Sequence, residues 1–463
     1  MLQNSTSQLL VVRNALVHVS LSGRAENLVK YALTFRVPRA YRTFRGMEWS
    51  FVPRSFYFQD LCAFPTGFLN DVLSFLEQHG IQVKVVDQRR RPEAGAPFKL
   101  RGVKLKGFQE QAVEKALSLE RAVIYGVVSS GKTVIAAAIA SRLGLPFLYV
   151  THRQDIAKQT YERFKQWFPP NYPLGIITGS VKKHGESIIA TYQSLKDLPL
   201  EFPVLLVDEC HHVVSEVFSR VVCMCDAYYR FGFTGTPRGR SDALDKIMDR
   251  LLGPVVQVAD YETTKKEGLS CEVKFVLVII DEEQRFSRPD DFYEAESKFI
   301  VGATRRNQLI KLICEGSTRG VTLVIVRRKE HGMMLHQMIP GSLYVDSSSP
   351  ASVREQARKM TEGVLIATSV IEEGIDNPNI EVLVNAAGGK SPIVTSQRVG
   401  RGLRFREGKV LKVVDFVDLA HPLLFKHSHA RYKIYSRLGE VVFLNEGGQI
   451  VENPFGKRRG QSR

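Results

Sequence analysis

The chain has 463 residues, 44% hydrophobic and 24% charged, enough apolar material for several buried cores at roughly 150 residues per domain. It has no run of about 18 apolar residues, and no basic stretch at the N-terminus leads into an apolar one, so neither a membrane span nor a signal peptide is predicted. Lys and Arg number 64 against 48 Asp and Glu, and the resulting charge of +16 points to a polyanionic partner, nucleic acid above all. Residues 1–98 read as a small α+β domain. Leu9–Val12 and Leu16–Leu21 look like strands, and the helix predicted over Gly67–His79 has Phe68, Val72, Phe75 and Leu76 on one face. Ile81–Val86 is a further strand, and Arg89-Arg90-Arg91-Pro92 with Gly95 and Pro97 reads as a linker. Within this region Tyr41–Phe58 interleaves rings with cations, including Arg42, Arg45, Trp49 and Arg54. Such spacing suits nucleic acid, with rings on bases and guanidiniums on phosphates. It equally suits a β-hairpin with an aromatic core face and an arginine-rich wet face.

Residues 99–258 alternate longer amphipathic stretches with apolar runs at Ala122–Tyr125, Phe147–Val150, Ile188–Ala190, Val204–Val207 and Phe231–Phe233. Doubly buried strands separated by helices indicate a parallel α/β sheet. Residues 259–440 repeat the pattern at Val321–Val326, Ser342–Val345, Val364–Ala367, Val382–Asn385 and Val410–Phe416. The predicted architecture is α/β, two tandem units after the small N-terminal domain, with residues 441–463 as an extension ending in a basic tail.

Two motifs define the chemistry. Gly126-Val-Val-Ser129-Ser130-Gly131-Lys132-Thr133 fits the phosphate-loop pattern and lies between a predicted strand and a predicted helix. In such a loop the backbone N–H groups and the helix N-terminus cradle phosphates, the Lys132 ammonium reaches the β/γ-phosphates and the Thr133 hydroxyl ligates Mg²⁺. Asp208-Glu209-Cys210-His211 follows the run Val204–Val207, which puts Asp208 at the carboxyl end of a buried strand, where open α/β sheets bind ligands. There Asp208 can hold Mg²⁺ and Glu209 can orient or deprotonate the attacking water. Together these make a nucleoside triphosphatase. In the second unit Gln397-Arg398-Val399-Gly400-Arg401-Gly402-Leu403-Arg404 places Arg401 and Arg404 three apart, on one face of a predicted helix, where they can act as arginine fingers on the γ-phosphate.

The set Leu105-Lys-Gly-Phe108-Gln109, the phosphate loop, Asp208–His211, Thr234-Gly-Thr-Pro237, Glu373-Gly-Ile-Asp376 and Gln397–Arg404, in that order, resembles the superfamily 2 helicases over residues 100–415. The resemblance implies two RecA-like domains with ATP and Mg²⁺ between them, and Gln109 reading the adenine. It also implies that Gly374 and Asp376 line the nucleotide cleft, that His211, Thr234, Thr236 and Gln397 couple hydrolysis to domain movement, and that Thr151, Gln159, Thr191 and Thr368 contact a nucleic-acid backbone. Ser129 departs from the glycine common in the family's loop. The motif variants look most like the XPB, RecG and UvsW-type DNA enzymes, and Phe64-Pro65-Thr66-Gly67-Phe68-Leu69 is similar to the N-terminal substrate domain of UvsW-like phage helicases. This implies a DNA motor for forks and junctions in recombination, repair or replication, able to work as a monomer in the cytoplasm, the host's if phage-borne. An RNA helicase, a translocase subunit of a restriction-type complex and an ATP-binding sensor remain the rival readings. The six cysteines, with Cys223 and Cys225 as a close pair, lack zinc-knuckle spacing and are expected to be reduced core thiols.

Overall fold

The computed structural model describes residues 8–21, 23–43, 46–127, 129–195, 200–235, 244–281, 292–368, 377–419 and 421–456, with backbone alone at 38–43, 46–49, 214, 244 and 393. The chain forms two compact units, one of Met1–Gly126 and Ser130–Ala259, the other of Asp260–Arg463 with the short segment Val127–Ser129.

The first unit opens with a four-stranded sheet. Its strands are Leu9–Val12 (β1), Leu16–Ser20 (β2), Ala63–Pro65 (β5) and Lys84–Asp87 (β6), ordered β5-β2-β1-β6. The aromatic and arginine-rich segment is a hairpin, Thr34–Thr43 (β3) against Gly46–Ser55 (β4). Past its end the chain turns inward. Phe56 and Tyr57 are buried, and Phe56 packs with Phe35 and Phe68 at ring separations of 5.4–5.9 Å. The helix on this sheet runs Leu69–Gln78, two residues later than the pattern suggested, because Thr66–Phe68 forms a 3-10 turn ahead of it.

The main sheet of this unit has eight strands. They are Arg121–Gly126 (β7), Phe147–Thr151 (β8), Leu174–Ile177 (β9), Lys182–Lys183 (β10), Ser187–Thr191 (β11), Val204–Asp208 (β12), Tyr229–Thr234 (β13) and Val255–Ala259 (β14), ordered β10-β9-β11-β8-β12-β13-β7-β14. Every pairing is parallel except β9 with β10. Strands such as β8, β11 and β13 are buried along their whole length, which is why they appear in sequence as unbroken apolar runs.

The N-terminal sheet is seated on this larger one. Phe56, Phe64, Phe68, Val72 and Leu76 share one apolar cluster with Leu148, Leu205, Met248 and Leu251. Asp71 pairs with Arg250 (2.5 Å) and Lys246 (3.3 Å), Asp60 pairs with Arg220 (2.8 Å), and Asp226 accepts from the Ala15 N–H (3.1 Å).

The second unit holds a seven-stranded, all-parallel sheet: Glu272–Ile280 (β15), Val321–Ile325 (β16), Leu343–Val345 (β17), Gly363–Ala367 (β18), Ile380–Asn385 (β19), Val410–Asp418 (β20) and Glu440–Leu444 (β21), ordered β17-β18-β16-β19-β20-β15-β21. Two features correct the sequence reading. The nine-residue strand β15 went unrecognised there, and the start of the supposed extension is β21, the sheet's edge strand. The tail residues 457–463 lie outside the described residues.

A buried histidine in this unit makes its stability pH-dependent. His331 is 1% exposed and its Nε2 donates to Asn307 Oδ1 at 2.9 Å. Burial, then the charges of Arg306 and Arg328, push its pKa down to about 3 from 6.5. The unfolded chain therefore binds a proton that the folded chain refuses. Stability is full above pH 6.5 and falls toward pH 3, by up to about 1.4 kcal/mol per pH unit. Calorimetric melts should show a lower midpoint at pH 4.5 than at pH 7, and His331→Gln, which keeps a donor for Asn307, should flatten that slope. An unchanged slope in the variant would show that this histidine does not set it.

Candidate nucleotide and nucleic-acid site

The phosphate loop is built by backbone geometry that its sequence permits. A Cβ on Gly126 would lie 2.4 Å from Ser130 Oγ, so glycine is required where β7 enters the loop. Gly131 takes φ +78° and caps the helix Lys132–Leu143, whose first turn carries Thr133. Ser129 also sits in the left-handed region, at φ +69°, a strain of about 1–2 kcal/mol for a residue with a Cβ. Gln109 is buried at the start of the helix Gly107–Leu119; its Nε2 donates to Ser130 O (3.0 Å) and its Oε1 accepts from the Lys106 N–H (2.9 Å). Gln109 is thus tied to the loop itself. Lys132 Nζ donates to Gly126 O at 3.0 Å. The hydroxyls of Ser129 and Ser130 are buried without a hydrogen-bond partner. Two unsatisfied hydroxyls, a cation and a helix N-terminus in one loop fit an oxyanion such as a phosphate.

The acidic pair lies two strands away. β12 ends at Asp208, in register with Phe233 of β13. Burial, and then the neighbouring Glu209 charge, raise the Asp208 carboxyl above its ordinary range, while Lys132 opposes the shift. Burial also works against the Glu209 charge, but the close His211 ring and the charges of Lys132 and His152 outweigh it and hold that carboxyl low. Crowded negative charge of this kind favours a cation, so the residues fit Mg²⁺ held by Asp208 and Thr133 together with phosphate oxygens. Among the described residues no cluster of three or more His, Cys, Asp or Glu could hold a metal by itself. His211 Nδ1 lies 3.3 Å from Glu209 Oε2 and 3.2 Å from Thr234 Oγ1, so two of the residues assigned to coupling touch each other, and one of them meets the carboxylate assigned to water activation.

Strand order separates two kinds of residue along the same carboxyl edge. Gly126, Thr234 and Asp208 end the neighbouring strands β7, β13 and β12. Next to them β8 and β11 end at Thr151 and Thr191, which are direct partners in register. Thr151 is fully buried, and the nearly buried Thr191 Oγ1 is 2.9 Å from Ser194 Oγ. Gln159 is exposed on the helix Gln154–Trp167, apart from the two threonines in the chain. In the second unit Thr368 follows β18, with its N–H donating to Val345 O at 3.1 Å.

Arg54 does not fit its assignment to nucleic acid. It is half-buried, with Nη2 donating to Ser215 O (3.2 Å) and to Ser219 Oγ and its guanidinium 4.8 Å from the Phe56 ring centre. The side chain ties the β3–β4 hairpin to the start of the helix Glu216–Met224. Of the other residues assigned from sequence, Arg45, Thr236, Gly374 and Asp376 lie outside the described residues, and Arg42 and Trp49 are described by backbone alone.

In the second unit the helix Pro392–Gly402 carries Gln397 and Arg401, but Arg404 does not share its face. The helix ends at Gly402, where a Cβ would lie 2.5 Å from Leu411 Cδ1. Leu403 O then accepts from the Cys271 N–H (2.9 Å), and Arg404 forms an extended bridge with Ser270. Pairing with the chain ahead of β15 thus overrides the helical spacing. Sequence reasoning also missed a buried network that holds the helix. Arg398 Nη1 donates to Asn385 Oδ1 (3.0 Å) and Gly388 O (2.8 Å), Asn385 Nδ2 donates to Asp415 Oδ2 (3.0 Å), and Arg431 Nε and the Tyr435 hydroxyl donate to the same oxygen (2.7 and 2.6 Å). The signal was present as an aspartate interrupting the apolar run Val410–Phe416.

Two RecA-like α/β units, one with a phosphate loop facing an acidic strand end, define a motor nucleoside triphosphatase. A family model described as "Type III restriction enzyme, res subunit" matches residues 102–239, and one described as "Helicase conserved C-terminal domain" matches residues 304–406. The chain is 23% identical over 358 residues to the DNA 3'-5' translocase XPB2 of Sulfurisphaera tokodaii, across 67% of this chain and 81% of that protein. It is likewise 23% identical over 350 residues to the ATP-dependent DNA helicase uvsW of Enterobacteria phage T4, across 68% of each. The fragment structure of a putative HsdR subunit of a type I restriction enzyme from Vibrio vulnificus shares the fold, with a TM-score of 0.58 at 16% identity over 90% of this chain and 93% of that one. With two helicase-type family models matched in order, the chain resembles the superfamily 2 helicases of the XPB and UvsW kind, which are ATP-driven enzymes.

Proposed function

We propose that this protein is an ATP-dependent DNA helicase or translocase that works on forked and junction DNA in recombination, repair or replication. The observation that carries the reading is the division of one strand edge: phosphate and carboxylate chemistry at β7, β13 and β12, and the threonine pair at β8 and β11 beside it. A motor needs its fuel site and its track within reach of common elements. The names of the relatives and the +16 charge support DNA as the track.

In this reading the loop N–H groups and Lys132 bind the β/γ-phosphates, Gln109 orients the nucleotide and Glu209 takes the proton of the attacking water. Thr133 and Asp208 would hold Mg²⁺, which would supply positive charge against the phosphates. Arg401 and Arg404 stabilise charge on the γ-phosphate, and Gln397, His211 and Thr234 pass the change on. Thr151, Gln159, Thr191 and Thr368 meet the nucleic-acid backbone, which gives contact without strong sequence choice.

Steady-state ATP hydrolysis at fixed salt, with no nucleic acid, single-stranded DNA, linear duplex, a model fork, a four-way junction and duplex RNA, tests this. Fork or junction DNA should stimulate most. Stimulation as great by duplex RNA would make the chain an RNA remodeller on the same engine. A motor driven best by linear duplex would favour the translocase of a restriction-type complex, the reading that the description of the first family model supports.

A further inference from the structure

Three imidazoles lie in a row between the two halves of the first sheet's carboxyl edge. His152 immediately follows Thr151 at the end of β8, and its ring centre is 4.5 Å from that of His212. His212 in turn is 4.0 Å from His211, the next residue back in the 3-10 turn Cys210–Val214. His211 ends the row on Glu209 Oε2 (3.3 Å) and Thr234 Oγ1 (3.2 Å). At the other end Gln193 Nε2 donates to His152 O (3.3 Å), and Gln193 belongs to the turn Tyr192–Leu195 that follows Thr191. The Gln193 side chain, just past Thr191, therefore holds the backbone of the residue that carries the first ring, and the last ring meets the group assigned to water activation.

We infer that His152 and His212 are positioning residues that transmit occupancy of the nucleic-acid edge to Glu209 through their ring contacts. This rests on the proposed function and adds the route by which nucleic acid turns on hydrolysis. Rings in van der Waals contact resist interpenetration, as packed cores do, so a shift of the backbone at Thr151 or Thr191 moves His152 and displaces His212 and His211 in turn. Moving His211 reorients Glu209 and Thr234 together. His212 touches neither the phosphate loop nor Glu209 in this scheme, so binding and basal turnover of ATP do not need it.

The test measures ATP hydrolysis by the full chain with and without single-stranded DNA, alongside DNA affinity by fluorescence anisotropy. His212→Ala should keep basal kcat, KM for ATP and DNA affinity, and lose stimulation by about ten-fold, within the range that site-to-site couplings span. His212→Phe, which keeps a ring but no titratable nitrogen, should restore most of it. His152→Ala, checked for folding by circular dichroism, should likewise lose stimulation and keep DNA affinity. Wild-type stimulation in both alanine variants, or a phenylalanine variant as defective as the alanine, overturns the inference. A wild-type chain that no nucleic acid stimulates overturns the proposed function as well, which separates the two failures.

Discussion

Lys132→Ala is expected to lower ATP hydrolysis about a hundred- to a thousand-fold, with or without nucleic acid, and to leave the fold intact. The ammonium is held inside the loop by Gly126 O at 3.0 Å, and a Cβ on Gly235 would lie 3.1 Å from it, so it stands where the chain after β13 passes the loop. Its charge also lowers the pKa values of both Asp208 and Glu209. Removing it takes a donor from the β/γ-phosphates and leaves two crowded carboxylates less compensated, so ATP with its four negative charges would meet a repulsive site. Core packing is untouched, because the side chain is only half-buried and lies at the first position of a helix that alanine favours. Steady-state hydrolysis with a thermal melt of the same preparation checks both halves. Wild-type turnover in the variant would remove the loop from the chemistry.

Gly67→Ala should destabilise the first unit by about 3 kcal/mol and lower its melting midpoint by roughly 6–12 °C. A Cβ on Gly67 would lie 1.6 Å from the Arg250 carbonyl oxygen, a backbone atom of the helix Leu244–Leu252 that cannot rotate away. The N-terminal sheet would have to lift from that helix, loosening the Asp71 pairs with Arg250 and Lys246 and exposing part of the shared apolar cluster. Gly107→Ala is the control. Gly107 has an ordinary φ, nothing lies within 4 Å of its would-be Cβ, and it opens a helix, so that change should be neutral or mildly stabilising. Calorimetry on the three proteins decides the matter, and equal midpoints would mean that the N-terminal sheet is not seated this tightly. The result would also account for Phe64–Leu69 in physical terms, as a turn whose glycine lets two layers meet.

The sequence by itself determined the order of chemistry along the chain. The phosphate loop after β7 and the carboxylate at the end of β12 were legible, because a strand buried on both faces appears as an unbroken apolar run and its last residue marks the ligand-binding edge. The threonines ending β8 and β11, by contrast, came only from the resemblance to a family. The tertiary structure decided what depends on residues far apart in the chain. Local pattern could not say that Arg54 would be spent on Ser215 and Ser219, more than 160 positions away, in place of a phosphate. A three-residue spacing put Arg401 and Arg404 on one helical face, until pairing with Ser270 drew Arg404 out of the helix. The buried Asp415 network and the histidine row have no local signature either, since Arg431 meets Asp415 and His152 meets His212 only when separate strands and helices pack. Periodicity reports which face of an element is buried; only packing reports what that face is buried against.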